Sequence, residues 1–372
     1  SPFHRFGNYK RQPSSCELDR VIQIQRHGSR YPTSRVNDKI QRSLNKIKKI
    51  GDRLDKSLEF IKSYRFFSKD SDLVELGRKE SYLSGEEFYS RYRDLINKDL
   101  SDNGLVHLPF LRSSQSDRVI QSAELFKIGL IDRFKSQRNF EEKILIISED
   151  PKDAYNSKEE YEYDDEKGVW LKLFIRPILK RFNEHLAVGS DLNEIDVLSL
   201  MQLCLFDSVA KEEQSKFCDI FHEEEWINFE YYFDLDKYFK HGIGNEIASS
   251  QGVGYLAELL SRLTGDIDWI RRDFTKVNHT LDESEDYFPL NRKTFVDFSH
   301  DNQMVSIFSS LGIQPIEDLP IEGPPPTNRS FVVAQWVPFA SRLTVERMKC
   351  RQNHHSNSSD QLELYLRIFL VS

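Results

Sequence analysis

A chain of 372 residues with 38% hydrophobic composition is long enough for one large domain or two, and it can bury a sizeable core. Its formal net charge of −8, with no block of Lys and Arg, excludes a general nucleic-acid binder, which must neutralise a phosphate backbone with clustered cations. No stretch reaches the ~18 apolar residues that a membrane-spanning helix requires, so no membrane partner is expected.

Residues 21–25, an apolar run rich in Ile, predict a strand that breaks at Arg26-His27-Gly28. The period then changes: Ile40, Leu44, Ile47, Ile50, Leu54, Leu58 and Ile61 recur at steps of three and four and predict one helical face. A further helix is expected over 76–96. Residues 105–111 turn strand-like and stop at Arg112-Ser113-Ser114, after which Ser116 or Asp117 can cap a helix running through 130. Residues 144–148 read as another buried strand, and 151–168, rich in Asp, Glu, Lys and Tyr without apolar periodicity, as a solvated loop. Helical patterns dominate 171–263. An irregular stretch then leads to a strand over 294–298 that ends at Ser299-His300-Asp301. A proline-rich loop at 324–326 precedes strand-like residues 331–337, and 364–371 reads as a final strand.

Strands alternating with helices predict an α/β fold with a mainly parallel sheet flanked by helices. The helical inserts predict a second, smaller all-α domain. The expected boundaries are 1–38, 104–150 and 266–372 for the α/β domain, and 39–103 and 151–265 for the helical one. Ligands of such sheets bind beyond the carboxyl ends of the strands, so Arg26-His27, Arg112 and His300-Asp301 are expected to converge on one crevice.

Taken singly, Arg26-His27-Gly28 reads equally well as a solvated surface loop, and His300-Asp301 reads more readily as a loop or helix cap. Together they supply what phosphoryl transfer needs: an imidazole nucleophile, planar guanidinium forks for the equatorial oxygens, and a proton for the leaving alkoxide. The four cysteines, Cys16, Cys204, Cys218 and Cys350, have no CxxC spacing and no His at ligand spacing, so neither a metal site nor a cofactor is expected. Two disulfides or four free thiols remain open. Sequons at Asn278, Asn328 and Asn357 are candidate glycosylation sites. The chain begins at Ser1 without a basic-then-apolar leader, as expected if a secretory signal either has been removed or never existed.

Arg26-His27-Gly28-Ser29-Arg30-Tyr31-Pro32, followed by Leu111-Arg112-Ser113-Ser114, Ser116-Asp117-Arg118 and Phe298-Ser299-His300-Asp301-Asn302, resembles the histidine acid phosphatases, and among them the fungal phytases. The resemblance continues through Phe217-Cys218-Asp219, His241-Gly242-Ile243-Gly244-Asn245, Gln251-Gly252-Val253-Gly254-Tyr255 and Trp336-Val337-Pro338-Phe339. It implies a phosphoglycerate-mutase-like α/β domain beside a smaller helical one, with the site between them. By the same resemblance His27 is the nucleophile, Asp301 the proton donor, and Arg26, Arg30, Arg112 and His300 the phosphate ligands. Lys237, Lys39 and Asn302 fall at rim positions suited to the unreactive phosphates of phytate, whereas Asp236 and Val36 stand where some phytases carry Lys. The implied disulfides are Cys16–Cys350 and Cys204–Cys218. A secreted monomer acting on a small phosphomonoester without a cofactor is the expectation. Family members carry further cysteines, one of them where this chain has Trp170, and continue beyond the position of Ser372.

The cations around His27 are expected to disfavour its imidazolium and keep it nucleophilic in acid. They also favour ionised Asp301 until an anionic ester opposes them. Three other readings share parts of this pattern. They are a broad-specificity histidine acid phosphatase, a phosphoglycerate-mutase-type isomerase, whose acid is commonly a Glu placed elsewhere, and a non-catalytic phosphate-binding protein on the same fold.

Overall fold

β1 (Cys16–Arg26) is covered on both sides: Val21 packs into one apolar cluster while Ile22 and Ile24 pack into others on the opposite face, all of them 3% exposed or less. A strand buried on both faces belongs in the middle of a sheet. In the computed structural model it does so with β2 (Phe110–Ser114), β3 (Leu145–Ile147), β4 (Thr294–Ser299), β5 (Arg342–Arg351) and β6 (Leu362–Val371), in the order β3-β2-β4-β1-β5-β6. The pairings β3/β2, β2/β4 and β4/β1 are parallel, and β5 runs antiparallel to both β1 and β6. The α/β class expected from the sequence is thus present, with an antiparallel pair closing one edge. The structure describes residues 2–3, 9–66, 69–100, 104, 106–134, 143–149, 164–275, 277–351 and 362–371.

The helices are α1 (Ser34–Lys48), α2 (Phe60–Ser63), α3 (Glu75–Asn97), α4 (Asp117–Asp132), α5 (Asp164–Arg181), α6 (Glu194–Lys211), α7 (Glu223–His241), α8 (Ala248–Thr264), α9 (Asp268–Arg271), α10 (Asp301–Ser310) and α11 (Val333–Trp336). α3 and α4 cover the sheet face that carries Val21, Leu111, Val296 and Phe298. There Phe126 of α4 meets Phe298 of β4 edge-on at 5.3 Å, and each such buried ring contributes about 1.5–3 kcal/mol. α8 covers the other face over Ile22, Phe295 and Val345, with α10 packed beside it. α1, α5, α6 and α7 build a second body of core around Ile47, Phe174, Leu200 and Leu235, continuous with Ile24 and Leu343 of the sheet. α3 and α8 fall inside the segments 39–103 and 151–265 that the sequence assigns to the helical insert, yet both lie on the sheet, because each parallel face needs an apolar helix to cover it.

The expected helical face from Ile40 to Ile61 is broken. α1 ends at Lys48, Gly51 turns the chain at φ +63°, and Leu54, Leu58 and Ile61 reach the same core from two 3-10 turns and α2. Residues 331–337 are not a strand: the Val333 N–H donates to the Asp234 carboxylate instead of to a neighbouring strand, and α11 follows. β3 is an edge strand with Ile146 40% exposed, not a buried one. The implied disulfides are both formed, Cys16–Cys350 joining register partners on β1 and β5, and Cys204–Cys218 closing a local loop. Most of the stretch expected as a solvated loop, 150–163, lies outside the described residues, and α5 begins at its end.

Candidate active site

β1 and β4 end side by side, with Arg26 opposite Ser299, so the chain leaves both strands into the same crevice. His27 is fixed there by its backbone: its N–H donates to Ser299 O at 3.1 Å, and its carbonyl accepts from Ala340 N at 3.0 Å. The loop that follows is tied down from the helical layer. The Gly28 N–H donates to Ser122 Oγ at 3.1 Å, and Ser29 donates to the Glu80 carboxylate through both its N–H at 2.7 Å and its hydroxyl at 3.0 Å. Gly28 has to be glycine, since a Cβ would stand 2.2 Å from the Gly77 carbonyl oxygen on α3.

The His27 side chain is 2% exposed and its Nδ1 lies 2.9 Å from Gly28 O. A carbonyl oxygen only accepts, so Nδ1 carries the proton and Nε2 keeps its lone pair. Burial, followed by the charges of Arg26 and Arg30 and then of Arg118, holds the imidazole well below its usual pKa. A neutral imidazole with one free nitrogen among guanidinium groups is chemically equipped to attack an anionic phosphorus centre.

Three arginines surround it. The Arg26 guanidinium stacks on Phe339 at 4.3 Å, donates to Val337 O and reaches Asp301 at 3.2 Å. Arg30 donates to Tyr31 O at 2.7 Å, and burial together with the neighbouring Arg118 and Arg26 pushes it down to about 10. The third is Arg118 and not Arg112. Strand alternation sends the Arg112 side chain to the face under α8, where Nε bonds Asp297 at 2.7 Å and Nη2 pairs with Glu258, in a buried network that also holds Arg262 at 2.6 Å from Asp297. Arg118, in the first turn of α4, instead faces the crevice and lies 3.2 Å from His300 Nδ1. The sequence motif contains both arginines; strand period distinguishes them.

His300 is the N-cap of α10 and Asp301 its first residue, so the helix N-terminus adds its partial positive charge to the crevice. The His300 and His27 rings meet edge-on at 5.5 Å. Burial would raise the Asp301 carboxyl, but Arg26 and Lys237 outweigh it and hold the group well below the ordinary carboxylate range. Lys237 of α7 lies 3.1 Å from Asp301 and also donates to Asn302 Oδ1, and with a side chain 12% exposed it sits inside the site and not on its rim. Asp236, beside it, is paired with Lys167 at 2.5 Å and Lys240 at 3.3 Å. Lys39 is half-buried on α1, the helix that leaves the site loop.

Two further residues are revealed by the fold. Glu80 anchors Ser29 as described, and Glu149, just past β3, accepts from His300 Nε2 at 2.8 Å and from Ser116 Oγ at 2.8 Å. Nothing in their local sequence marks either carboxylate, since their partners are 51 and 151 residues away. Of the candidate sequons, Asn278 and Asn328 are exposed, and Asn357 lies outside the described residues.

The chain is similar to known proteins in sequence and in fold. The sequence pattern of the histidine phosphatase superfamily (branch 2) matches residues 17–370. Phytase A of Aspergillus awamori is 33% identical over 360 residues, spanning 91% of this chain and 74% of that protein; Phytase A of Aspergillus fumigatus is 34% identical over 368 residues, spanning 91% and 75%. Among solved structures, the phytase from D. castellii superposes with a TM-score of 0.75 at 24% identity, covering 100% of this chain and 76% of that one. The multiple inositol polyphosphate phosphatase of Bifidobacterium longum, in complex with inositol hexasulfate, does so with a TM-score of 0.68 at 13% identity, covering 99% and 90%. The chain therefore belongs to the histidine phosphatase superfamily, branch 2.

Proposed function

We propose that this phosphoric monoester hydrolase works through a phosphohistidine on His27 and that its preferred substrate is phytate, myo-inositol hexakisphosphate. The observation that carries the mechanism is the pairing of a buried His27, whose Nδ1 is committed to Gly28 O, with Asp301 held by Arg26 across the crevice. Nε2 attacks phosphorus while Arg26, Arg30, Arg118 and His300 take the equatorial oxygens. The ester P–O bond breaks as the P–N bond forms, and the leaving alkoxide takes the proton of Asp301. Water then attacks the phosphohistidine and gives its proton to the Asp301 carboxylate, and phosphate leaves with His27 restored. The bound ester supplies the negative charge that returns Asp301 to its protonated form against Arg26 and Lys237.

Phytate is supported by the Phytase A relatives, which match across 91% of this chain. A broad-specificity acid phosphatase is the second reading. It is favoured by the position of Lys237, which engages Asp301 instead of an outer phosphate, and by Asp236, which pairs with Lys167 and Lys240. Comparing kcat/KM for phytate and p-nitrophenyl phosphate at pH 5 decides between them: a phytase prefers phytate, and a preference of about tenfold or more for the aryl ester establishes the second reading. Two disulfides and exposed Asn278 and Asn328 support secretion into an oxidising compartment.

A further inference from the structure

We propose that Glu149 is a positioning residue of this site: it holds the His300 imidazole by Nε2, aims Nδ1 at the phosphate position and favours the imidazolium once an anionic phosphoryl group is bound. The inference rests on the reading of His300 as a phosphate ligand given above. Glu149 lies just past β3, at the same carboxyl end of the parallel strands as His27 and His300. Its Oε1 is 2.8 Å from His300 Nε2, its Oε2 accepts from Ser116 Oγ at 2.8 Å, and its backbone N–H donates to Gln115 Oε1 at 3.3 Å. Ser114 Oγ stands 3.3 Å from the same imidazole nitrogen. The carboxylate is therefore fixed in place before any ligand arrives. Burial works against its charge, but the bonds from His300, Ser114 and Ser116 outweigh burial and hold Glu149 well below the usual range, so it is an anion throughout mild acid.

The hydrogen-bond inventory assigns the protons. A carboxylate only accepts, so His300 Nε2 carries a hydrogen; Arg118 only donates, so Nδ1, 3.2 Å from its Nη2, accepts. In the free enzyme Nδ1 is thus turned inward as an acceptor. A phosphoryl group changes this, because its oxygens also only accept. Arg118 can turn to them, and Nδ1 can bond them only by taking a proton, from the phosphoryl group itself or from solvent. The charged and titratable groups facing His300 are Arg118 from α4, His27 beyond β1, Asp301 on its own helix and Glu149, with Arg26 and Lys237 behind Asp301. Asp301 is neutralised by its two cations. Glu149 is left as the carboxylate in direct contact with the ring, and it stabilises the imidazolium.

Glu149→Gln keeps the shape and an acceptor for Nε2–H while removing the charge. Binding of inorganic phosphate, measured by calorimetry from pH 4 to pH 8, should weaken in the variant mainly on the alkaline side. The midpoint of that limb should move to lower pH by about one unit, which is about tenfold in affinity at the limb. With p-nitrophenyl phosphate the loss should fall on KM more than on kcat. Glu149→Asp retains the charge on a shorter arm, and its limb should lie between wild type and the Gln variant. Should the Gln variant fail to fold, the Asp variant decides alone by a smaller shift in the same direction. A loss equal at every pH, or a limb that does not move, overturns the proposal. Phosphate binding requires no turnover, so the result is separate from the nucleophile: an active His27→Ala enzyme would remove the phosphohistidine and leave this measurement standing.

Discussion

Lys237 and Asp301 are ion-paired at 3.1 Å, and Arg26 reaches the same carboxylate oxygen at 3.2 Å. The group proposed to donate the proton is thus held ionised in the free enzyme from two sides. Lys237→Ala frees Asp301 from one of its two cations and should raise its pKa, so the alkaline limb of kcat/KM should move to higher pH for p-nitrophenyl phosphate as well as for phytate. An unmoved limb together with a loss confined to phytate would contradict this and return Lys237 to the role of an outer-phosphate ligand.

Arg112 and Arg118 should separate cleanly. Arg112→Ala leaves Asp297 and Glu258 with an uncompensated share of buried charge, and urea unfolding should show a loss of about 3–5 kcal/mol. Arg118→Ala removes a half-buried cation from the crevice, so its unfolding midpoint should stay near wild type while KM rises. The opposite pattern would put Arg112, not Arg118, on the phosphate.

Asp301→Asn should slow alkyl phosphates far more than aryl phosphates, since a phenolate leaves with little help and an alkoxide needs the proton. General acid catalysis is worth about 10²–10⁴-fold, so the contrast on steady-state kcat should be large. Equal losses on both esters would reduce Asp301 to a positioning group.

How far the sequence carries can be read residue by residue. His27 and His300 are legible because each directly follows an apolar strand, with Arg26 and Asp301 beside them, and parallel strands deliver their carboxyl ends to one crevice. Arg112 misleads for a related reason: it too ends an apolar run, but it lies in the middle of β2 and not at its end, and the alternation of side chains sends it to the α8 face. β5 is hidden in the sequence because Arg342, Glu346 and Arg347 interrupt its apolar residues; their partners, Glu87, Arg367 and Asp19, are contributed by other elements. Residues 331–337 read as a strand because they are apolar. Their burial is against the helical core and not in the sheet, a distinction that period and composition do not carry.

His27 Nε2 is the proposed acceptor of the phosphoryl group. Rapid acid and base quench of the enzyme turning over a phosphate-labelled ester, followed by peptide mapping, reads that transfer. An acid-labile, base-stable label should sit on the peptide containing His27 and form and decay at rates compatible with kcat, with no label or turnover in a folded His27→Ala variant. Turnover in that variant, or a wild-type enzyme that hydrolyses the ester without ever carrying label on His27, would contradict it.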